Sequence, residues 1–194
     1  MEKTTLVILA GGKSSRFGRD KSLEKIDGKS IVERTVEKAS PVFDEVLISS
    51  NRAAKFALPG VPELTDTYIG MGPLGGIHAA MLAAKNDAVF FAACDMPFFS
   101  VELAKYIIEN SAGTDACVPR AGEKTEPLFG VYRKALLPLI VRMLEEGDRS
   151  LHHLLSRAEA KILDCTDWVR EHGETNAFFN MNYQADLEAL KKLR

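Results

Sequence analysis

The chain has 194 residues, a length typical of one compact domain with a sizeable core. Lysine and arginine number 25 against 27 aspartates and glutamates, which leaves a formal net charge of -2. This balance provides no overall positive field, so neither nucleic acid nor an anionic membrane is indicated as the main partner. No apolar run approaches the ~20 residues that span a bilayer, and the first one is too short for a signal peptide.

The three cysteines, Cys94, Cys117 and Cys165, are widely spaced and form no CxxC pair. That spacing suggests neither a zinc site nor a redox dithiol. We therefore expect free thiols in a reducing compartment, and a cytoplasmic protein.

Strands and helices alternate through the first half of the chain. Apolar runs that would be buried on both faces are typical of the centre of a parallel sheet. Ser30 and Glu33 have the spacing of a capping box, which predicts a helix start. In chain order, we predict a strand over 5–10, a helix from 30 to about 39, a strand over 45–49, a helix over 77–84 and a strand over 88–95.

The same alternation continues in the second half. Ser100 is a suitable helix N-cap, and Gly147 is placed to end a helix. In chain order, we predict a helix from 100, strands in DACVP and PLFGVY, a helix over 134–146, a short helix from 150, a strand in AKILDC and a last helix from about 182. This order predicts a Rossmann-like three-layer α/β/α sandwich with a mainly parallel sheet, in one domain over 1–194.

The first predicted strand ends in a glycine loop that is rich in cations. Gly11 and Gly12 allow the backbone to approach a ligand, and backbone N–H groups in such turns bind phosphate oxygens. The cations that follow are Lys13, Arg16, Arg19 and Lys21. Because Asp20 is the only carboxylate among them, this local charge favours a phosphate site over a plain turn.

Two better-known phosphate-binding patterns do not explain this loop. A P-loop requires GxxxxGK[ST], and its second glycine would fall on Arg16 or Phe17. Residues 70–75 do match GxGxxG, but charges interrupt the segment before them and Pro73 removes a backbone donor. Dinucleotide binding is therefore disfavoured.

Asp95 ends the most apolar predicted strand, at the edge where parallel sheets bind ligands. Pro97 prevents the chain from running straight into the next helix. Mg²⁺ takes one or two carboxylates together with substrate phosphate oxygens, so a carboxylate at this position favours a Mg²⁺ site. The alternative role, capping the next helix, is better filled by Ser100.

Four motifs together resemble the molybdenum cofactor guanylyltransferase family, the MobA type of nucleotidyltransferase. They are the LAGG loop with its arginine and DK pair over 9–21, GPLGG over 72–76, CDMPF over 94–98 and NMN over 180–182. The resemblance spans almost the whole chain, and it implies the fold of nucleotide-diphospho-sugar transferases. It also implies transfer of GMP from GTP to the phosphate of molybdopterin that bears molybdenum, with release of pyrophosphate.

The resemblance further implies roles for single residues. The nucleotide site would comprise Leu9, Ala10, Gly11, Gly12, Lys21, Asp66 and Asp95, with either Ser49 or Asn51 at the end of the second strand. The catalytic residues would be Arg16, Lys21 and Asp95, with Mg²⁺ on Asp95. The pterin side would comprise Gly75, Asn180 and Asn182. The partners would be GTP, Mo-molybdopterin and other proteins of molybdenum cofactor biosynthesis.

A phosphate nucleophile is already anionic at neutral pH, so this reaction requires no strong general base. The four histidines, His78, His152, His153 and His172, lie in predicted helices or loops with no carboxylate partner expected nearby, and we interpret them as structural. Catalysis would then consist of positioning and charge neutralisation.

Three alternatives remain open at this point. They are a cytidylyltransferase for the same cofactor, a sugar-phosphate nucleotidyltransferase and a non-catalytic nucleotide-binding module. Cytidylyl relatives tend to show LAAG where this chain has LAGG, and sugar-nucleotide enzymes are usually longer. A non-catalytic module would be expected to lose Lys21 or Asp95, and both are present.

Overall fold

The protein was analysed as a computed structural model that describes residues 2–11, 21–50, 52, 54–68, 70–181, 183 and 185–186, and of residue 21 the backbone only. The strands are β1 (Thr4–Leu9), β2 (Lys25–Ile26), β3 (Lys29–Ser30), β4 (Glu45–Ser50), β5 (Glu63–Thr65), β6 (Ala88–Ala93), β7 (Ala116–Ala121), β8 (Lys124–Thr125), β9 (Phe129–Arg133) and β10 (Ala160–Asp164). The helices are α1 (Ile31–Ala39), α2 (Pro73–Ala83), α3 (Val101–Glu109), α4 (Leu137–Glu145), α5 (Leu151–Arg157) and α6 (Thr166–Glu171).

The main sheet has β1 near its centre. Its strand order is β10-β7-β9-β6-β1-β4-β5, and β8 pairs with β7 beside this path. β1 runs parallel to both β4 and β6, and the pairs β4–β5 and β7–β10 are parallel as well. β9 runs antiparallel to β6 and β7. The predicted mainly parallel sheet is therefore confirmed, with a reversed strand beside β6.

Helices cover both faces of this sheet because its central strands are apolar on both faces. In β1, Leu6 and Ile8 pack into a core that includes residues of α1, α3 and α6. Val7 and Leu9 point the other way, into a core that includes residues of α2, α4 and α5. Every residue of β1 is buried, which is typical of a strand inside a three-layer sandwich. The predicted α/β/α architecture is confirmed.

The predicted helix caps are confirmed in atomic detail. At the start of α1, Ser30 Oγ accepts a hydrogen bond from the Glu33 N–H at 3.2 Å, and the Glu33 carboxylate accepts one from the Ser30 N–H at 2.6 Å. At the start of α3, Ser100 Oγ accepts a hydrogen bond from the Leu103 N–H at 3.1 Å. These bonds satisfy N–H groups that the helix itself leaves without a partner.

The start of α2 differs from its prediction. The helix begins at Pro73 rather than at residue 77, after Gly72 in a backbone conformation with φ of +65°. Proline suits the first helical position, because its missing N–H would have no partner there. Gly75 and Gly76 concealed this turn from sequence analysis, because glycine is a poor helix former.

Several short elements were not predicted from the sequence. They are the β2–β3 hairpin, β5, β8 and α6. β6 ends at Ala93 rather than at residue 95, so Asp95 lies in the turn that follows the strand. The prediction of a last helix concerns residues from 182 onward, most of which lie outside the described residues.

Cys94, Cys117 and Cys165 are buried and carry free thiols, and burial raises the pKa of Cys117 to about 11 and that of Cys165 to about 12. Among the helices that the structure describes, none has both the length and the apolar character that crossing a bilayer requires.

We expect Ser30→Ala to lower the free energy of unfolding by about 1 kcal/mol, because it removes the N-cap of α1. Urea unfolding followed by circular dichroism measures the change. The matched control is Ser156→Ala, an exposed serine of α5 whose hydroxyl donates to the His153 carbonyl, for which a change within about 0.5 kcal/mol is expected. Equal losses in the two variants would contradict the assigned capping role.

Candidate active site

The carboxyl ends of β1, β4 and β6 meet at one edge of the sheet. Along the chain, β1 is followed first by β4, which pairs with one edge of β1, and later by β6, which pairs with the other edge. Ligands bind parallel sheets at the strand ends where the connections diverge in this way. The pairing extends beyond the strands, because the Ala10 N–H donates to the Ser49 carbonyl at 2.7 Å and the Cys94 N–H donates to the Leu9 carbonyl at 3.1 Å. The structure thus brings together Leu9, Ala10, Ser49 and Cys94, and Asp95 follows Cys94 directly.

The glycine loop leaves the sheet at this edge. Gly11 is exposed and immediately follows the Ala10 that pairs with β4. Gly12 and Arg16 lie outside the described residues, and so does the side chain of Lys21, whose backbone begins a short 3-10 turn. The structure therefore describes two parts of the predicted phosphate site. They are Gly11 at the start of the loop and the backbone of Lys21 at its end.

A cation that sequence analysis did not select lies beside this loop. Lys55 Nζ donates a hydrogen bond to the Ala10 carbonyl at 3.1 Å. The Glu63 carboxylate holds the backbone here by accepting the N–H groups of Lys55 and Phe56 at 2.8 and 3.1 Å. Burial opposes ionisation of Glu63, but these bonds and one from Ser50 together lower its pKa. Lys55 therefore adds positive charge at the start of the glycine loop.

Ser49 and Asp66 form a hydrogen-bonded pair between β4 and α2. Ser49 Oγ donates to Asp66 Oδ1 at 3.1 Å, and Ser49 is fully buried. Burial raises the pKa of Asp66, and the hydrogen bond from Ser49 opposes that rise. Asn51, the other predicted nucleotide-binding position of this strand, lies outside the described residues.

The glycines at the start of α2 allow close packing against this pair. A Cβ on Gly76 would lie 2.9 Å from Ser49 Oγ and 3.4 Å from Asp66 Oδ1. A Cβ on Gly75, the glycine that sequence analysis assigned to the pterin side, would lie 2.7 Å from the Tyr68 carbonyl oxygen. Gly76 therefore faces the Ser49–Asp66 pair, and Gly75 packs against the loop before the helix.

Asp95 is tied to the segment that carries the last predicted motif. Its backbone carbonyl accepts a hydrogen bond from the Met181 N–H at 2.8 Å. Asn180, the preceding residue, is partly buried, and its side-chain amide donates to the Phe178 carbonyl at 3.1 Å. Asn182 lies outside the described residues. The structure thus places Asp95 and Asn180 close together.

A cavity of about 360 Å³ opens beside Asp95 and Asn180. Glu126 from the turn before β9, and Arg149 and His152 around the start of α5, also line it. Sequence analysis did not select Glu126 or Arg149, and it interpreted His152 as structural. The separation of these residues along the chain gives no sign that they meet. Pro73, the first residue of α2, lines the cavity too, so the N-terminus of that helix lies beside it.

The prediction that no histidine has a nearby carboxylate partner is wrong for His153. Its Nδ1 lies 2.9 Å from Asp148 Oδ2, on the surface beside α5. The pair forms because Asp148 also accepts the Ser150 N–H and so lies at the start of that helix. His78 is buried against the ring of Tyr68.

Within the described ranges, no three histidine, cysteine, aspartate or glutamate side chains come together as a ready-made metal site. The arrangement suits a phosphate-bearing nucleotide, because an exposed glycine and a cation-rich loop follow β1 and a carboxylate lies in the turn after β6.

The fold and this site define a nucleotide-binding α/β protein of the transferase class. A sequence profile described as the MobA-like NTP transferase domain matches residues 6–162. The chain belongs to this family and is a nucleotidyltransferase.

Comparisons with individual proteins agree with this assignment. A probable molybdenum cofactor guanylyltransferase of Peptoclostridium acidaminophilum is 38% identical over 188 residues, which cover 93% of this chain and 85% of that protein. A molybdenum cofactor guanylyltransferase of Vibrio parahaemolyticus is 32% identical over 197 residues, covering 98% and 96% of the two chains. The crystal structure of molybdopterin-guanine dinucleotide biosynthesis protein A from Archaeoglobus fulgidus superposes with a TM-score of 0.83 at 25% identity, covering 97% of each chain.

We expect Ser49→Ala to raise the pKa of Asp66 further, because the variant lacks the hydrogen bond that opposes the effect of burial. Folding raises the pKa of Asp66 above the value of ~3.9 that an aspartate has in the unfolded chain. Such a carboxyl lowers the stability of the fold as the pH rises from the unfolded pKa through the folded pKa. The variant should therefore lose more stability over that window than the wild type loses. Carboxyl ¹³C NMR titration measures the pKa, and urea unfolding at each pH measures the stability.

The matched control for this titration is Ser50→Ala. Ser50 Oγ donates to Glu63 rather than to Asp66, so its removal should leave the pKa of Asp66 unchanged. An unchanged Asp66 pKa in Ser49→Ala would mean that the 3.1 Å contact does not stabilise the carboxylate.

Proposed function

We propose that this chain transfers GMP from GTP to the phosphate of molybdopterin bearing molybdenum, forming the guanine dinucleotide of the cofactor and releasing pyrophosphate. The observation that carries the proposal is the meeting of the Leu9–Gly11 backbone and Asp95 at the ends of two adjacent parallel strands. The names of the relatives, which are guanylyltransferases of the molybdenum cofactor, support the choice of substrates.

The nucleotide would lie across the carboxyl ends of β1 and β4. Backbone groups from Leu9 to Gly12 would contact guanine or ribose, since amides and carbonyls at a strand end can read a base edge. Ser49 or Asn51, together with Asp66, would complete this side. Gly76 supports the site by letting α2 approach the Ser49–Asp66 pair.

The triphosphate would lie along the glycine loop. Arg16 can bind two phosphate oxygens at once, and Lys21 supplies a point charge. Lys55, which is held on the Ala10 carbonyl, would add to the positive potential at the start of this loop. Charge neutralisation by these groups would stabilise the negative charge that develops on the leaving pyrophosphate.

Membership of a nucleotidyltransferase family suggests dependence on a divalent metal, and Mg²⁺ fits the donor set. Asp95 supplies carboxylate oxygens, which are the hard ligands that Mg²⁺ prefers, and it lines the cavity. Asp95 would hold the ion, which when bound would neutralise charge on the triphosphate. The turn after β6 fixes Asp95, because its carbonyl is bonded to Met181.

The acceptor would occupy the cavity on the far side of Asp95. Asn180 and Asn182 would contact the pterin, with Gly75 in the loop and helix start nearby. The acceptor phosphate is the nucleophile and already carries negative charge, so the residues of the cavity would orient it rather than remove a proton. Exposed Arg149 at the rim would attract this anion.

We also propose that residues 1–194 act as one nucleotidyltransferase domain, since strands from both halves of the chain lie in one sheet. The three free thiols support a cytoplasmic location, where nucleotides are available. Other proteins of molybdenum cofactor biosynthesis would deliver the acceptor.

We expect selective binding of GTP, because a site built from backbone hydrogen bonds rejects bases that leave those groups unpaired. Calorimetry with GTP, CTP, UTP and ATP, each with Mg²⁺, measures the preference. Equal or tighter binding of CTP would support the cytidylyltransferase alternative instead. Binding of GTP without transfer to molybdopterin would support a non-catalytic module, and transfer to a sugar phosphate would support the third alternative.

We expect Asp95→Asn to reduce turnover by roughly two to three orders of magnitude, because it keeps the shape of the side chain but removes its charge. Stability should change little. The informative measurement is the affinity for GTP as a function of Mg²⁺ concentration, and the tightening by Mg²⁺ should disappear in the variant.

Asp167→Asn is the matched control, because Asp167 is an exposed carboxylate of α6 that pairs with Arg170 on the surface. It should behave as the wild type. If Asp95→Asn and the wild type respond identically to Mg²⁺, Asp95 is not the metal ligand, and another carboxylate such as Asp66 must take that role.

A further inference from the structure

Glu126 is a carboxylate buried in the wall of the cavity beside Asp95. It lies in the turn between β8 and β9 and is only 8% exposed. Burial of a carboxylate is costly unless hydrogen bonds compensate for it, so such a residue usually has a specific partner. The proposed transfer reaction, as derived above, assigns no role to Glu126.

The turn that carries Glu126 is rigid. The Glu126 N–H donates to the Pro119 carbonyl at 3.0 Å, and the Glu126 carbonyl accepts the Phe129 N–H at 3.0 Å. The buried Tyr132 hydroxyl donates to the Pro127 carbonyl at 2.7 Å. Burial raises the pKa of Tyr132, so its hydroxyl remains protonated and continues to donate. Glu126 is therefore held in place before any ligand arrives, which is the condition for selective recognition.

The same turn is joined directly to the end of β6. The Ala93 N–H donates to the Leu128 carbonyl at 3.0 Å, two residues before Asp95. Glu126 and Asp95 thus lie on connected backbone segments and line one cavity. A ligand with one end at Asp95 would meet Glu126 with another part of its surface.

The charge of Glu126 restricts which part of a ligand it can recognise. Its ion-pair partner is Lys124, whose Nζ lies 2.5 Å from Glu126 Oε1. The Lys124 side chain is 67% exposed and so lies on the solvent side. A carboxylate accepts about four hydrogen bonds, so this contact leaves capacity for a ligand. A phosphate would be repelled, whereas a ligand edge with two parallel N–H donors would match the two oxygens, as in bidentate guanidinium pairs.

We propose that Glu126 recognises the pyrimidine edge of the pterin in the acceptor, by accepting hydrogen bonds from its ring N3–H and its 2-amino group. This inference rests on the proposed function, because only that function places a pterin in the cavity. Arg149 and His152, which line the same cavity and are exposed, would face the acceptor's anionic groups.

The test compares two small probes, pterin and lumazine, as inhibitors of GMP transfer and as ligands measured by their own fluorescence. Lumazine carries an oxygen in place of the 2-amino group, so it would present an acceptor to the Glu126 carboxylate. Wild-type protein should bind pterin at least about tenfold more tightly than lumazine, because the mismatch leaves buried polar groups unpaired. Glu126→Gln should lose most of this preference and should raise KM for molybdopterin by a similar factor.

The variants are chosen to separate recognition from other roles. Glu126→Gln should leave GTP affinity, its Mg²⁺ dependence and kcat at saturating acceptor near the wild-type values. Glu123→Gln, which changes an exposed carboxylate of the neighbouring turn between β7 and β8, is the matched control and should keep the pterin preference. Lys124→Ala removes the ion pair while retaining the carboxylate, and it should keep the preference as well.

Each contrary outcome has a distinct meaning. Equal binding of pterin and lumazine by the wild type overturns the inference, even if Glu126→Gln fails to fold. Loss of the Mg²⁺ dependence of GTP binding in Glu126→Gln would overturn it too, because Glu126 would then serve the metal. If the wild type transfers GMP to molybdopterin and Glu126→Gln has an unchanged KM, this inference fails alone. If the wild type does not use molybdopterin, the proposed function fails first.

Discussion

The parallel pairing of β1 with both β4 and β6 is the constraint on which the site depends. Each pairing continues beyond the regular strand through one hydrogen bond, from Ala10 to Ser49 and from Cys94 to Leu9. These bonds fix the backbone before the glycine loop and the turn that carries Asp95 relative to each other. Because β1 is buried along its whole length, this arrangement is anchored by both layers of the core. The loop residues can therefore bind a ligand without reorganising the sheet.

The two proposed halves of the site are joined at Asp95. On one side it follows the strand that pairs with β1, and on the other its carbonyl holds Met181 and so the segment with Asn180. The antiparallel strand β9 starts at this same edge, because it runs against β6, and it brings Glu126 to the cavity. A nucleotide and an acceptor bound on either side of Asp95 would be oriented by one rigid framework, as a transfer between two phosphates requires.

The parts of this fold that follow from local patterns were predicted from the sequence. Fully apolar runs identified β1 and β6, and the spacing of Ser30 and Glu33 identified the start of α1. The start of α2 was missed because its glycines serve close packing: Gly76 lies against Ser49, a contact that no local pattern reveals. Glu126 was missed for a related reason, since only the reversed direction of β9 places it near Asp95.

The central claim is that GTP binds where β1, β4 and β6 end, and hydrogen–deuterium exchange with GTP and Mg²⁺ tests it most directly. The account predicts slower amide exchange at Ala10 and Gly11, at Ser50 and around Asp95. The opposite edge of the sheet, near Asp44 and Asn86, should be unchanged and serves as an internal reference. Protection at that opposite edge, or protection that excludes both the glycine loop and the turn after β6, would contradict the account.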